Sequence, residues 1–126
     1  MTPLVYSCSG CSNAAQMAND FALRLSRAGL AEMSCIAGVG GKVEPLLRVA
    51  RQGRPILALD GCALHCVLAC LEQAGVLATA SVDLSALGVR KRKHAEYSAE
   101  EAERIWQDAI LPTLATLDAD LPVKCA

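Results

Sequence analysis

Pro55-Ile56-Leu57-Ala58-Leu59-Asp60-Gly61-Cys62-Ala63-Leu64-His65-Cys66 opens on an unbroken apolar run, turns at Asp60-Gly61 and continues into helix-forming residues. A short apolar run that ends at a turn signal is the pattern of a strand covered on both faces, and such strands belong to parallel sheets. Reading outward, the same strand-then-helix order repeats. Upstream, a strand at Pro3 to Ser7 leads past Cys8 to Cys11 into a helix with Ser12 or Asn13 as N-cap. That helix carries Ala14, Ala18, Phe21, Leu25 and Ala28 on one stripe, and Gly29 ends it. A second strand is expected at about Glu32 to Ala37, followed by a glycine-rich turn, Gly38 to Gly41. A short helix follows from Glu44, with Pro45 in its first turn and Gly53 as its stop. Downstream, a helix is expected from Ala63 to Ala74 and a fourth strand at about Thr79 to Leu84. A capping box, Ser98 with Glu101, opens the last helix, which Pro112 should kink or end.

These elements predict one α/β domain over residues 1–117, in three layers. A mostly parallel four-stranded sheet carries helices on both faces, and residues 118–126 form a loosely held tail. Short connections and right-handed crossovers predict the strand order 2-1-3-4. With 126 residues and 53% hydrophobic composition there is material for one ordinary domain, and the balance of 12 Lys+Arg against 13 Asp+Glu excludes disorder. The apolar stretches fall far short of the ~20 residues of a membrane span. Met1 to Cys8 has no basic segment of a secretory signal, so the cytoplasm is the expected compartment. There, seven cysteines read as metal ligands or redox groups before disulfides.

The cysteines fall in a pattern on this map. Cys8 follows strand one, Cys35 lies near the end of strand two, and Cys62 and Cys66 follow strand three. In a parallel sheet all carboxyl ends share one edge, where ligands of open α/β folds bind at the reversal of strand order. Neighbouring strands lie ~4.8 Å apart, and thiolates ~2.3 Å from a zinc ion lie ~3.8 Å from each other, so loops curling over the edge can close the gap. Cys62 and Cys66 share a face if both are helical, and Cys70 extends that face by a turn. Cys8 and Cys11 form a C-x-x-C at a helix start, where the thiolate is favoured. The metal ligands expected are Cys8, Cys35, Cys62 and Cys66, with Cys11 and Cys70 behind them. Asp60 and Gly61 are expected to fix the direction of Cys62, Asp60 by accepting amides of the turn or of the helix after it. Zinc is the expected ion, and an iron–sulfur cluster is the alternative.

Asp60-Gly61-Cys62 with Cys66, Cys8-Ser9-Gly10 and Cys35-Ile36-Ala37-Gly38 stand in an order that resembles the DGC-domain family, named for its Asp-Gly-Cys motif. The resemblance covers residues 4–94. It implies a zinc site built from Cys8, Cys35, Cys62 and Cys66, and leaves Cys11 without an assigned part.

Other motifs weigh less. A phosphatase C-x5-R needs Arg six positions after Cys8, where Ala14 stands. A dithiol oxidoreductase using Cys8 with Cys11, or Cys62 with Cys66, remains an alternative function, so the sequence leaves open whether the protein is an enzyme. Gly38 to Gly41 lacks the spacing of a phosphate or dinucleotide loop. Arg90 to His94 packs four basic residues into five positions, but at a net charge of −1 nucleic acid is not an expected partner. Four thiolates on one zinc ion leave about −2, which this basic connection could offset. On a helix His65 would point about 100° away from its cysteine neighbours, so it is read as structural. The sequence names no protein partner.

Overall fold

The computed structural model describes residues 1–117, so the expected tail, 118–126, lies outside the described residues. The sheet has β1 at Leu4–Ser7, β2 at Glu32–Met33, β3 at Ile56–Asp60 and β4 at Ala80–Asp83, in the order β2-β1-β3-β4 and parallel throughout. This is the expected α/β architecture and strand order. All of β1 and β3 is buried, as unbroken apolar runs between two helical layers require.

On one face Val5, Leu57 and Leu59 pack against α1, Asn13–Arg27, and against the C-terminal helix. On the other face Leu4, Tyr6, Ile56 and Ala58 pack against α2 (Ile36–Gly40), α3 (Glu44–Ala50) and α4 (Cys66–Gln73). Helix α1 begins as its sequence directs, with Ser12 accepting the Ala15 amide, and buries Ala14, Ala18, Phe21 and Leu25. Ala28, expected on that stripe, is the exposed C-cap residue.

Three elements differ from the sequence reading. The second strand stops at Met33, because the Cys35 thiol accepts the Gly38 amide at 3.4 Å and starts α2, so Gly38 to Gly40 are helical rather than a turn. Gly38 lies close against Leu46, whose Cδ1 stands 1.8 Å from where a Cβ would fall and would have to move to admit one. The helix expected from Ala63 starts only at Cys66, since His65 takes a left-handed conformation, φ 53° and ψ 49°. Helix α5, Ala99–Ile105, is not ended at Pro112. A π-helical turn at Trp106–Ile110 precedes the proline, and helix continues over 111–117. The wider turn shifts the carbonyls that the proline ring would otherwise strike.

Helix α5 is fixed to α1 by Arg24, which stacks on the Trp106 ring at 4.0 Å and bridges to Glu103 at 2.8 Å. Tyr97, just ahead of α5, donates to Asp20 at 2.6 Å.

The turn after β3 packs backbone against backbone. A Cβ on Gly61 would stand 2.8 Å from the carbonyl carbon and oxygen of Ala14. Gly61→Ala is therefore expected to lower stability by about 1–3 kcal/mol in urea unfolding, because backbone rather than a mobile side chain must move. The bond to Asp20, then burial, raises the Tyr97 phenol to about 12. A phenol raised by folding contributes stability that is complete below its ordinary value of 10.0 and is lost as pH climbs towards 12. Tyrosinate absorbance of the native protein should lag behind that of the unfolded chain, and Tyr97→Phe should remove the Tyr97 share of the lag while leaving that of Tyr6, whose phenol is also raised by burial.

Candidate thiolate site

The carboxyl ends of β1 and β3 sit side by side, with Ser7 opposite Leu59, so the residues that follow each strand emerge together. Cys8 continues β1, and its amide donates to the Leu59 carbonyl at 3.1 Å. Across from it the Gly61 amide donates to Cys8 Sγ at 3.2 Å. Cys62 follows Gly61 in the turn. Its carbonyl accepts the His65 amide at 3.2 Å, which closes the turn and starts α4 at Cys66.

Asp60 explains why the chain turns this way. It is 2% exposed, and Oδ1 accepts the Val67 amide of the first turn of α4 at 2.9 Å. A carboxylate on those otherwise unpaired amides satisfies a donor and complements the helix dipole. Burial raises the Asp60 carboxyl above its ordinary value, and the Val67 and Leu68 amides oppose the rise.

Cys8, Cys11, Cys62 and Cys66 line one cleft of about 190 Å³, together with Leu64 and Lys91. Cys8 and Cys66 also line a second cleft of about 270 Å³, where Cys70 joins them beside Ile36 and Gly40. These two thiols thus stand where the two spaces meet. Cys35 lines neither cleft, and its sulfur is engaged at the start of α2. Among the described residues no three His, Cys, Asp or Glu side chains are placed to hold one metal ion in this arrangement. Burial raises the Cys8 thiol, with the Gly61 amide opposing, and burial likewise raises the Cys70 thiol.

The basic connection lies over this edge. Asn13, 6% exposed, donates to the Arg90 carbonyl at 2.8 Å and accepts the Arg92 amide at 2.6 Å, while its own amide donates to the Arg92 carbonyl. That clamp carries Lys91 to the thiols, where Nζ donates to Cys62 Sγ at 3.5 Å. The ammonium thus places one positive charge beside the cysteines of this edge.

Sequence reasoning placed Cys8 and Cys62 at one edge and missed three features. Cys62 and Cys66 do not share a helical face, because Cys62 lies in the turn. His65, read as pointing away on a helix, caps α4 and pairs through Nε2 with Asp83 Oδ2 at 2.9 Å. Asp83 Oδ1 in turn accepts from both the amide and the hydroxyl of Ser85, a local Asp-x-Ser turn that spacing alone could have signalled. The Asn13 clamp left no such signal, since its partners lie 77 and 79 residues away.

No solved structure matches the chain. A protein of Pseudomonas aeruginosa named anaerobic and virulence modulator AnvM is 62% identical over 104 residues, which cover 82% of this chain and 79% of that protein. The family model described as DGC domain matches residues 4–109, which span β1, the two clefts, the basic connection and all of α5. The match takes in the Asp60-Gly61-Cys62 turn and the cysteines around it, and the chain belongs to the DGC domain family.

Proposed function

We propose that this chain is a regulatory metal–thiolate domain of the cytoplasm, holding zinc through Cys8, Cys62 and Cys66 with Cys35 as fourth ligand. The observation that carries the reading is the meeting of Cys8 and Cys66 at two adjoining clefts, with Cys62 and the Lys91 ammonium at the same edge. The donor set is sulfur, which suits zinc, and a bound ion would cross-link the segment after β1 to the turn after β3. For Cys35 to join, its thiol must leave the Gly38 amide. Cys11, which already shares a cleft with three of the others, is the competing fourth ligand. A reducing compartment suits six cysteines that are free thiols among the described residues. The relative's name describes a modulator, and we carry that sense to this chain in preference to an enzymatic one.

A dithiol redox role has one observation in its favour, namely that Cys8 and Cys11 face a common space. It requires reversible disulfide formation with the fold intact.

Elemental analysis after anaerobic purification should find about one zinc per chain. Ser at Cys8, Cys62 or Cys66 should lower zinc content and melting temperature together. Cys35→Ser and Cys11→Ser decide the fourth ligand by which of them loses the metal. Lys91→Ala should speed zinc release to a chelator. Iron with a charge-transfer band would replace zinc by a cluster, and a metal-free protein with exchangeable thiols would favour the redox role. In the metal-free chain, iodoacetamide mapping should find Cys8 and Cys70 slower to react than Cys11 near neutral pH, since burial keeps both protonated. Zinc should slow Cys8, Cys62 and Cys66 alike.

A further inference from the structure

Behind the thiol edge, on the side of β4, lies a separate cleft of about 430 Å³ between α4, the end of β4 and the C-terminal helix. Its volume lies within the range of small-molecule sites. Leu68, Val82 and Leu87 contribute apolar walls, and Asp60, His65 and Asp83 form a polar end. None of the cysteines lines it.

The polar end is built and incomplete. Asp60 is 2% exposed and spends Oδ1 on the Val67 amide, while its buried Oδ2 has no hydrogen-bond partner among the described residues. A buried acceptor left unpaired is unfavourable, and one at the wall of a cleft calls for a partner. Asp83 is held rigidly by the Ser85 amide and hydroxyl, and its second oxygen faces the His65 ring. The His65 ring is thereby fixed at the same end of the cleft. Two carboxylates therefore stand in this cleft beside one histidine, and no lysine or arginine lines it among the described residues.

We propose that this cleft binds a small organic ammonium, an apolar body with a protonated amine at its head. The body lies along Leu68, Val82 and Leu87, and the amine presents its three donors to the acceptor-rich end. An anion is excluded by the same two carboxylates. A neutral alcohol, with one donor, fills fewer acceptors and gains no charge. The proposal is independent of what the thiols hold.

The test uses isotope-labelled full-length protein and two-dimensional NMR, with hexylammonium chloride, hexanol and potassium hexanoate as probes. Hexylammonium should produce saturable shifts in the Leu68 and Leu87 methyls and in the His65 ring, with hexanol weaker and hexanoate without effect. Asp83→Asn should weaken hexylammonium by about tenfold, the size of one charged hydrogen bond. Asp83 also positions His65, so Ala86→Trp provides a second variant. Ala86 is an exposed residue of the rim, and an indole there should block the probe without disturbing the core. Equal binding of hexanoate, shifts that never saturate, or binding that survives Ala86→Trp would each overturn the assignment.

Discussion

The whole carboxyl edge of this sheet depends on one close approach, that of the turn after β3 to the first turn of α1. Gly61 lies where a Cβ would strike the Ala14 carbonyl, and from there its amide reaches the sulfur of Cys8. Main chain packed against main chain at that distance leaves little room for either loop to drift. The thiols that follow the two strands are consequently held at one edge by backbone contacts.

Asp60 shows how the sequence places a helix beside that junction. Burying a carboxyl at the end of a fully apolar strand is unfavourable, and its raised proton affinity records the cost. The Val67 hydrogen bond offsets part of it and fixes where α4 begins. His65, forced into a left-handed conformation by the short turn, carries further strain of about 1–3 kcal/mol. Its ring is tied to Asp83 across the edge of the sheet. Strain and an unpaired acceptor within six residues of each other mark this turn as shaped for more than stability.

Hydrophobic pattern and turn chemistry made the architecture legible. Strands β1 and β3 could be read because each is a continuous apolar run, and α1 because Ser12 and a stripe of small and aromatic residues specify its start and its buried face. The errors arose where a side chain competed with the local pattern. The segment after Met33 reads as strand by composition, yet the Cys35 thiol captures the Gly38 amide and makes a helix. Pro112 signals a helix end, but the chain widens into a π-turn just before it. The placement of Cys8 near Cys62 followed from topology, because parallel strands must share an edge. The Asn13 clamp and the His65–Asp83 pair join residues distant in sequence, and no local pattern carries that information.

The seven residues from Asp60 to Cys66 connect two environments that differ in kind. Cys62 and Cys66 face sulfur and a lysine ammonium, whereas Asp60 and His65 face an acidic cleft with apolar walls. Because the segment is pinned at Gly61 by Ala14 and at Val67 by Asp60, it cannot flex freely at either end. A change in the direction of His65 must therefore be taken up within the turn that also carries Cys62. Coupling energies between sites are commonly about 1–3 kcal/mol, no larger than the strain already stored at His65. A short, strained segment shared by two sites is thus sufficient to let the occupancy of one alter the affinity of the other, with no movement of the sheet.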